Sequence, residues 1–306
     1  MTPAAVAPPA SVDGTLHASI VRLARGASIE TSTRNLAEID GYAERLPPGA
    51  DVFAAWLPGT PYHHLVSVAK RLRQAGLNPV PHIAARRLAS EEAAREFLAL
   101  LRDEAQVTRA LLIAGDSAVP VGPFESSLSF LETGLLEAHG ICSIGIAGYP
   151  EGHPRIAWSA LEAACDRKLA YAARNGIDAF IVSQFCFDPD AIVAWVERLR
   201  AGRVTVPIRI GVAGIATIRT LLNYARRCGI GSSIRALGSD PISLPRLLMQ
   251  QGPETLVRRI AAAEAGASVA GLHCFAFGGF AQGARWLQRV AAGRFRLDDT
   301  GFAVEA

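Results

Sequence analysis

The feature that most constrains the fold is an eightfold alternation of short apolar segments with amphipathic ones. The candidate strands are residues 27–31, 51–57, 78–85, 109–116, 141–150, 178–188, 206–214 and 268–278. Strands that alternate with helices run parallel, because a parallel pair needs a crossover connection. Continuous apolar runs such as LLIAG and IRIGVAG predict strands that are buried on both faces. The alternation therefore predicts a parallel sheet covered by helices.

The segments between these strands have the period of a helix, and most of them end on glycine. The predicted helices lie within 64–76, 90–105, 124–140, 160–176, 190–202, 218–229 and 279–293, with two more in 243–266. Ser90 followed by two glutamates is typical of a helix start. Arginines before Gly76 are typical of a helix end.

Eight strand–helix units predict an α/β fold, a single (β/α)8 TIM barrel, with the catalytic domain at 23–306. An open doubly wound sheet is the alternative, but the phosphate-binding pattern G-x-G-x-x-G is missing after the first strand. Residues 1–22 are rich in Ala and Pro, and we expect a flexible segment there. The length of 306 residues suits one such barrel.

Composition excludes several classes of protein. Hydrophobic residues make up 50% of the chain, so it can bury a large core, and the net charge of +3 without a basic run argues against nucleic-acid binding. No stretch is long and apolar enough for a membrane span, and the N-terminus lacks the pattern of a secretory signal. Five scattered cysteines without a C-x-x-C pair are typical of buried thiols in a reducing compartment. We expect a cytoplasmic enzyme, either monomeric or homo-oligomeric.

Active sites of such barrels lie at the carboxyl ends of the strands. The polar residues found there are Glu30, His82, Asp116, Ser117, Tyr149, Glu151, His153, Ser183, Gln184, Asp188 and His273. Glu30 lies within a buried strand, where an unpaired carboxylate is costly. It could face solvent at the barrel mouth or be a paired structural acid, but we interpret it as a functional acid. Asp116 could be a helix N-cap instead, Gln184 a packed residue of the barrel, and His273 a satisfied core histidine. No local pattern supports a metal site, a serine nucleophile or a P-loop.

Several sequence motifs of this chain, in their order along it, resemble motifs of the methylenetetrahydrofolate reductase family. SIGIAGYPEGHP (143–154) is similar to the fifth-strand signature of that family, and IAGDS (113–117) to its Gly-Asp after the fourth strand. DAFIVSQFCFD (178–188) resembles the sixth-strand motif and GLHCFAFG (271–278) the last strand. Glu30 and PHIAAR (81–86) match the first and third strands. The resemblance covers about residues 27–292.

The resemblance implies a barrel that carries FAD and reduces 5,10-methylenetetrahydrofolate to 5-methyltetrahydrofolate, with NADH or NADPH as electron donor. Glu30 would then be the acid that opens the five-membered ring of the substrate, and flavin would supply the hydride chemistry. Asp116 would act near the pterin and the flavin, and Gln184 would hydrogen-bond the pterin. The residues expected to bind the cofactor are His82, Tyr149, His153 and Asp166.

The sequence departs from the family at several cofactor positions. Ala114 replaces an arginine, Ala55-Trp56 a Thr-Tyr pair, and Gly278-Gly279 an Asn-Arg pair. These changes leave two alternatives open: direct hydride transfer from NAD(P)H without flavin, and a folate-binding protein without turnover. The retained Glu30 argues against the second, because a binding protein does not need a proton donor.

Overall fold

A computed structural model describes residues 12–228 and 248–305 and has a closed barrel of eight parallel strands. The barrel strands are β1 (Ser28–Ser32), β2 (Asp51–Ala55), β3 (Asn78–Ala84), β4 (Arg109–Ile113), β5 (Ser143–Gly148), β6 (Asp178–Ser183), β7 (Ile208–Ala213) and β8 (Gly271–Phe275). Each strand pairs with the next, and β8 closes the barrel on β1, with Ser28 opposite His273. The predicted (β/α)8 fold is confirmed.

Helices connect the strands around the outside of the barrel. They are α1 (Val12–Arg25), α2 (Tyr62–Gln74), α3 (Glu91–Ala105), α4 (Ser127–Leu131), α5 (Leu135–Ala138), α6 (Trp158–Arg174), α7 (Pro189–Ala201), α8 (Ile218–Cys228), α9 (Glu254–Ala262) and α10 (Phe280–Ala291). Ser90 caps α3 by accepting a hydrogen bond from the Ala93 amide. The sequence predicted one helix over 124–140, but the structure has two, because Gly134 adopts a φ of +72° between them.

The predicted element bounds were too long in several places. β6 ends at Ser183, and β8 ends at Phe275, so Gln184 and the residues that follow each strand form the loops of the barrel mouth. Of the two helices expected in 243–266, α9 lies within the described residues, and the part before residue 248 lies outside them, as does Gly229 after α8.

The expectation of a flexible segment over residues 1–22 is wrong from Val12 onward. Helix α1 begins there, and it packs against α9, α10 and β8, with Ile20 and Leu23 fully buried. The apolar residues of LHASIVRLA recur at helical spacing, and their burial outweighs the Ala/Pro-rich composition that precedes them. Residues 1–11 lie outside the described part of the chain.

Side chains fill the centre of the barrel. Phe53, Val80, Leu111 and Phe180 form a buried cluster there, and the Phe53 and Phe180 rings meet edge to face with centroids 6.2 Å apart. Gly145 belongs to the same layer, since an added Cβ would lie 2.8 Å from both the Leu111 and the Phe180 side chains. This packed layer separates the two ends of the barrel interior.

The amino-terminal end of the barrel contains an ionic cluster. The Asp51 Oδ2 atom accepts hydrogen bonds from Arg109 at 2.7 Å and from Arg209 at 3.2 Å, and Asn78 donates to Oδ1 at 2.6 Å. Both guanidinium groups lie about 5.5 Å from the centroid of the Phe180 ring. We call Asp51, Asn78, Arg109 and Arg209 the base cluster. The single carboxylate of this cluster contacts both guanidinium groups, so no charge in it is without an opposite charge nearby.

Two further predictions concern the burial of the cysteines and membrane-spanning helices. Cys186 and Cys274 are buried as predicted, whereas Cys142 is exposed because it precedes the fifth strand, in the loop that enters the barrel base. No disulfide joins the four cysteines whose side chains the structure describes. Across residues 12–228 and 248–305, no helix is both long and apolar enough to cross a membrane.

Candidate active site

Three ionisable side chains meet inside the barrel, toward its carboxyl end. The Glu30 Oε2 atom lies 3.3 Å from His82 Nε2 and 3.7 Å from His273 Nε2. These three atoms are buried, and none of them has a hydrogen-bond partner of good geometry in the described protein. We call Glu30, His82 and His273 the mouth cluster. Buried polar groups that protein atoms leave unsatisfied are candidates for contact with a ligand.

Burial sets the protonation of the mouth cluster. It raises the pKa of Glu30 above the usual value for glutamate, and the nearby His82 opposes this only in part. Burial lowers the pKa of His82, and it lowers the pKa of His273 to about 3, with Arg209 of the base cluster adding to that effect. Burial therefore favours the uncharged form of each of these three groups.

Ser28 fixes the outer side of this cluster. Its hydroxyl lies 2.9 Å from His273 Nδ1, and both residues are buried. A neutral imidazole carries one N–H group. If His273 Nδ1 donates to Ser28, then Nε2, which faces Glu30, is an acceptor. If Nδ1 accepts from Ser28, then Nε2 is a donor. The prediction of a satisfied core histidine at His273 holds for Nδ1, whereas Nε2 has no hydrogen-bond partner of good geometry in the described protein.

Asp116 lies apart from this cluster, in the loop after β4. Its carboxylate is 61% exposed and accepts a hydrogen bond of 2.7 Å from Arg87, which follows β3. The Arg87 guanidinium also donates to the Trp56 carbonyl at 2.6 Å and lies 5.6 Å from the centroid of the Trp56 ring. The alternative of a helix N-cap at Asp116 is wrong, since Ser126 caps the helix that follows.

Gln184, Tyr149 and His153 come together where β5 and β6 end. The three side chains line one small pocket, and the Tyr149 and His153 rings meet edge to face with centroids 5.5 Å apart. Burial raises the pKa of Tyr149 and lowers that of His153, so both are neutral hydrogen-bonding groups near neutral pH. The structure thus groups three of the predicted site residues.

Buried backbone contacts hold Gln184 in place. The Ser183 hydroxyl donates to the Gln184 carbonyl at 2.9 Å and accepts from the Gly211 amide at 2.8 Å. An added Cβ at Gly211 would overlap the Ser183 carbonyl and approach Phe275, so only glycine allows β7 to come this close. The Gln184 Oε1 atom accepts from the Phe185 amide at 3.2 Å, while its side chain stays half-buried.

Asp166 differs from the other predicted cofactor residues in its placement. It lies on helix α6 with an exposed side chain, and no described contact joins it to Tyr149, His153 or His82. Lys168 on the same helix is buried, which lowers its pKa. The cofactor role of Asp166 stays a prediction.

Sequence reasoning missed two partners of the predicted residues. Ser28 shares a strand face with Glu30, because side chains alternate along a strand, so the spacing of two contained a signal for it. Arg87 was missed because it follows β3 in a short turn, and no periodic pattern marks its contact with Asp116. Within residues 12–228 and 248–305, no group of three or more histidine, cysteine or acidic residues has the geometry of a metal site.

Comparison with known sequences supports the predicted family. Residues 118–236 match the family model described as methylenetetrahydrofolate reductase. Methylenetetrahydrofolate reductase 2 of Saccharomyces cerevisiae is 34% identical over 87 residues, and methylenetetrahydrofolate reductase 1 of Schizosaccharomyces pombe is 32% identical over 87 residues. Each alignment covers 28% of this chain and 14% of the relative, so the chain matches a small part of these longer proteins.

Two solved structures show distant similarity to this chain. A family 20 β-N-acetylglucosaminidase has 11% identity and a TM-score of 0.36, covering 87% of this chain and 67% of its own. A D-psicose 3-epimerase has 12% identity and a TM-score of 0.30, covering 87% of this chain and 95% of its own. Scores this low carry no argument about function.

Proposed function

Because residues 118–236 place this chain in the methylenetetrahydrofolate reductase family, we propose that it reduces 5,10-methylenetetrahydrofolate to 5-methyltetrahydrofolate. NADH or NADPH would provide the electrons, with FAD as carrier. The observation that carries the proposal is the state of Glu30, a buried carboxylic acid whose pKa is raised and whose Oε2 atom has no partner of good geometry in the described protein. A reaction that begins by protonating a ring nitrogen needs such a donor.

The mouth cluster can hold and return the proton. Glu30 donates from its neutral form, and the negative charge left behind lies in an apolar site beside two imidazoles that do not readily become cations. A buried carboxylate without a cation is unfavourable, which favours prompt reprotonation. His82 and His273 lie on the same side of the Glu30 carboxyl group, because both are near its Oε2 atom.

The substrate contacts that we propose lie on the loops of the barrel mouth. Gln184, held by Ser183 and Gly211, would hydrogen-bond the pterin, which presents donors and acceptors along one edge. Asp116 would approach the pterin from the opposite side of the mouth. Its carboxylate is largely exposed and is held by Arg87, so it is available to a ligand.

The donor set at the mouth fits the uncharged part of a flavin. His82 Nε2 is buried without a partner of good geometry, and Tyr149 and His153 add neutral groups at the end of β5. These three residues would hold FAD, whereas the exposed Asp166 lies apart from them. When bound, FAD would accept electrons from NADH or NADPH and pass hydride to the folate.

An assay of the purified protein tests this function. NADH or NADPH oxidation is followed in the presence of 5,10-methylenetetrahydrofolate, with and without added FAD, and the visible spectrum of the protein is recorded beforehand. We expect folate-dependent oxidation and the absorbance of bound flavin. A colourless protein that is active without FAD would establish direct hydride transfer. Folate binding without oxidation of either nucleotide would reject the reductase and leave a folate-binding protein.

A further inference from the structure

A cavity lies at the amino-terminal end of the barrel, between the carboxyl ends of α1 and α10 and the loop that leads into β2. Its volume is about 470 Å³, within the range of small-molecule sites. Ser28 and Asp51, the first residues of β1 and β2, are among the residues that line it, so it lies at the end of the barrel opposite the mouth. We call it the base cavity. The reaction proposed at the mouth makes no use of this space.

The walls of the base cavity are mostly aliphatic. The apolar residues that matter here are Ala24, Ala27, Leu46, Pro47, Leu287 and Ala291. No aromatic side chain is among the lining residues, all of which belong to the described part of the chain. Such walls favour a flexible hydrocarbon chain over a planar ring, because they bury apolar surface but offer no ring face for stacking.

Positive charge predominates around the base cavity. Arg25 and Arg45 line it, together with Glu44. The Glu44 side chain is 78% exposed and its carboxylate lies 3.9 Å from Arg45, and an ion pair this exposed contributes little. Asp51 belongs to the base cluster, in which two guanidinium groups share this one carboxylate. The surroundings of the cavity therefore favour an anionic ligand.

Arg25 is held in a position that suits an anion. Its Nε atom donates to the Ala291 carbonyl at 3.1 Å, which fixes the side chain across the gap between α1 and α10. This bond also satisfies a carbonyl at the end of α10, where the negative end of the helix dipole would otherwise oppose an anion. A guanidinium that is held through Nε presents its two terminal nitrogens as a pair of donors, a geometry that matches a carboxylate.

The loop that forms the third wall is fixed to the barrel. Tyr42 near its start is buried, and the Tyr42 ring stacks on Phe280 of α10 with centroids 3.3 Å apart. The Tyr42 hydroxyl lies 3.0 Å from the hydroxyl of Thr31 in β1. At the end of the loop, the Ala50 carbonyl accepts from the Asn78 amide at 2.9 Å. These contacts give the base cavity a defined shape.

We propose that the base cavity binds a medium-chain aliphatic carboxylate. The hydrocarbon chain lies between α10 and the loop before β2, where it buries apolar surface. The carboxylate faces Arg25 and Arg45, which supply charge-assisted hydrogen bonds. The proposal goes beyond the reductase reaction and does not rest on it, because the base cavity and the mouth lie at opposite ends of the barrel.

Calorimetric titration of the full chain with octanoate tests the chemistry of the ligand. We expect a Kd below about 1 mM. Affinity should fall by about fourfold for each methylene group removed, in heptanoate and then hexanoate, which is the effect of one buried CH2 group. Octanamide has the same chain without the charge, and it should bind about tenfold to a hundredfold more weakly than octanoate.

Three variants locate the ligand. Arg25→Gln should weaken octanoate binding by about tenfold, because it removes a cation that faces the carboxylate. Ala291→Leu should abolish binding, because it fills the cavity and keeps the carbonyl that Arg25 contacts. Arg285→Gln is the matched control, since Arg285 is an exposed arginine of α10 that does not line the cavity, and it should leave binding unchanged. If Ala291→Leu does not fold, the exposed Ala292 at the same wall is changed to leucine instead, with an expected severalfold loss.

Octanoate that fails to bind the wild-type protein at about 1 mM would overturn the proposal, as would octanamide that binds equally well. Binding that survives both leucine substitutions unchanged would show that the ligand lies elsewhere. Displacement of octanoate by 5-methyltetrahydrofolate would place it at the mouth and would also overturn the proposal. The reductase assay is independent of these titrations, so octanoate binding without folate reduction would reject the proposed function and keep the site.

Discussion

The two ends of the barrel interior both contain buried ionisable groups, but they satisfy them differently. At the base, Asp51 accepts three hydrogen bonds from Arg109, Arg209 and Asn78. At the mouth, Glu30 faces only two neutral histidines, and the atoms that point at each other have no hydrogen bonds of good geometry within the described protein. The packed Phe53 and Phe180 rings separate the two clusters.

This difference indicates which polar residues stabilise the fold and which serve a reaction. An ion cluster whose groups are all hydrogen-bonded is costly to break. An unsatisfied buried acid lowers the stability of the fold, so its presence indicates a ligand or a function that requires it. The clusters are also linked, because Arg209 of the base contributes to the lowered pKa of His273. Asp51 of the same cluster acts in the opposite direction and raises the pKa of His273.

The largest effect should come from removing the proton donor. We expect Glu30→Gln to lower kcat by about 10²–10⁴-fold, the usual contribution of a positioned general acid, while folate affinity and folding persist. Steady-state assays, folate titration and circular dichroism check the three quantities. Glu254→Gln is the control, since Glu254 is also a largely buried acid with a raised pKa but bonds to Trp286 outside the mouth. Near-normal turnover in Glu30→Gln would show that the mouth cluster does not supply the proton for the reaction.

Breaking the base cluster should affect stability instead of chemistry. Asp51→Asn leaves Arg109 and Arg209 without a counter-ion, and we expect the free energy of unfolding to fall by about 3 kcal/mol. Urea denaturation measures this change, and kcat of the folded variant should stay close to wild type. A large loss of kcat at unchanged stability would show that the two ends do not divide these roles.

A substitution of Gln184 tests the proposed pterin contact at the end of β6. Replacing it with Ala should weaken folate binding by about 1–3 kcal/mol, because a buried pterin group loses its partner. Titration with folate measures the affinity, and thermal unfolding gives the matching stability. If only the melting temperature changed, Gln184 would be a packing residue of the barrel and not a ligand contact.

A further expected effect is a change in the pH dependence of stability. The pKa of His273 falls from 6.5 to about 3 on folding, so the unfolded chain binds the additional proton between these values. Stability is therefore lost as the pH falls below 6.5, by at most about 1.4 kcal/mol per pH unit for this one group. His273→Gln should make the decline shallower in urea denaturation between about pH 6 and pH 4. An unchanged slope would mean that His273 is not held neutral.

Much of the fold could be predicted from the sequence, because eight apolar strands and their helices repeat one pattern. The prediction of one helix over 124–140 was wrong because Gly134 has a positive φ, outside the helical region. The prediction of a flexible N-terminal segment was wrong from Val12 onward because the Ala/Pro-rich composition hid the apolar face of α1. Periodicity records burial, but it does not record where a glycine interrupts a helix.

The candidate site could be predicted only in part. Polar residues at strand ends are conspicuous in a sequence, and the structure places the predicted residues Glu30, His82, Gln184, Tyr149 and His153 in two groups at the barrel mouth, while their roles stay predictions. The contact of Glu30 with His273 depends on the closure of β8 on β1, which brings together residues far apart in the chain. No local sequence pattern predicts the contact between these two residues.

Infrared spectroscopy of the protonated carboxyl group tests the central claim most directly. At about pH 6 an ordinary glutamate is ionised, whereas the account requires Glu30 to retain its proton. The carbonyl stretch of a neutral carboxylic acid should be present in the wild type and diminished in Glu30→Gln, with Glu254→Gln as the control that removes a different band. Identical acid bands in the wild type and Glu30→Gln would show that Glu30 is ionised and would contradict the account.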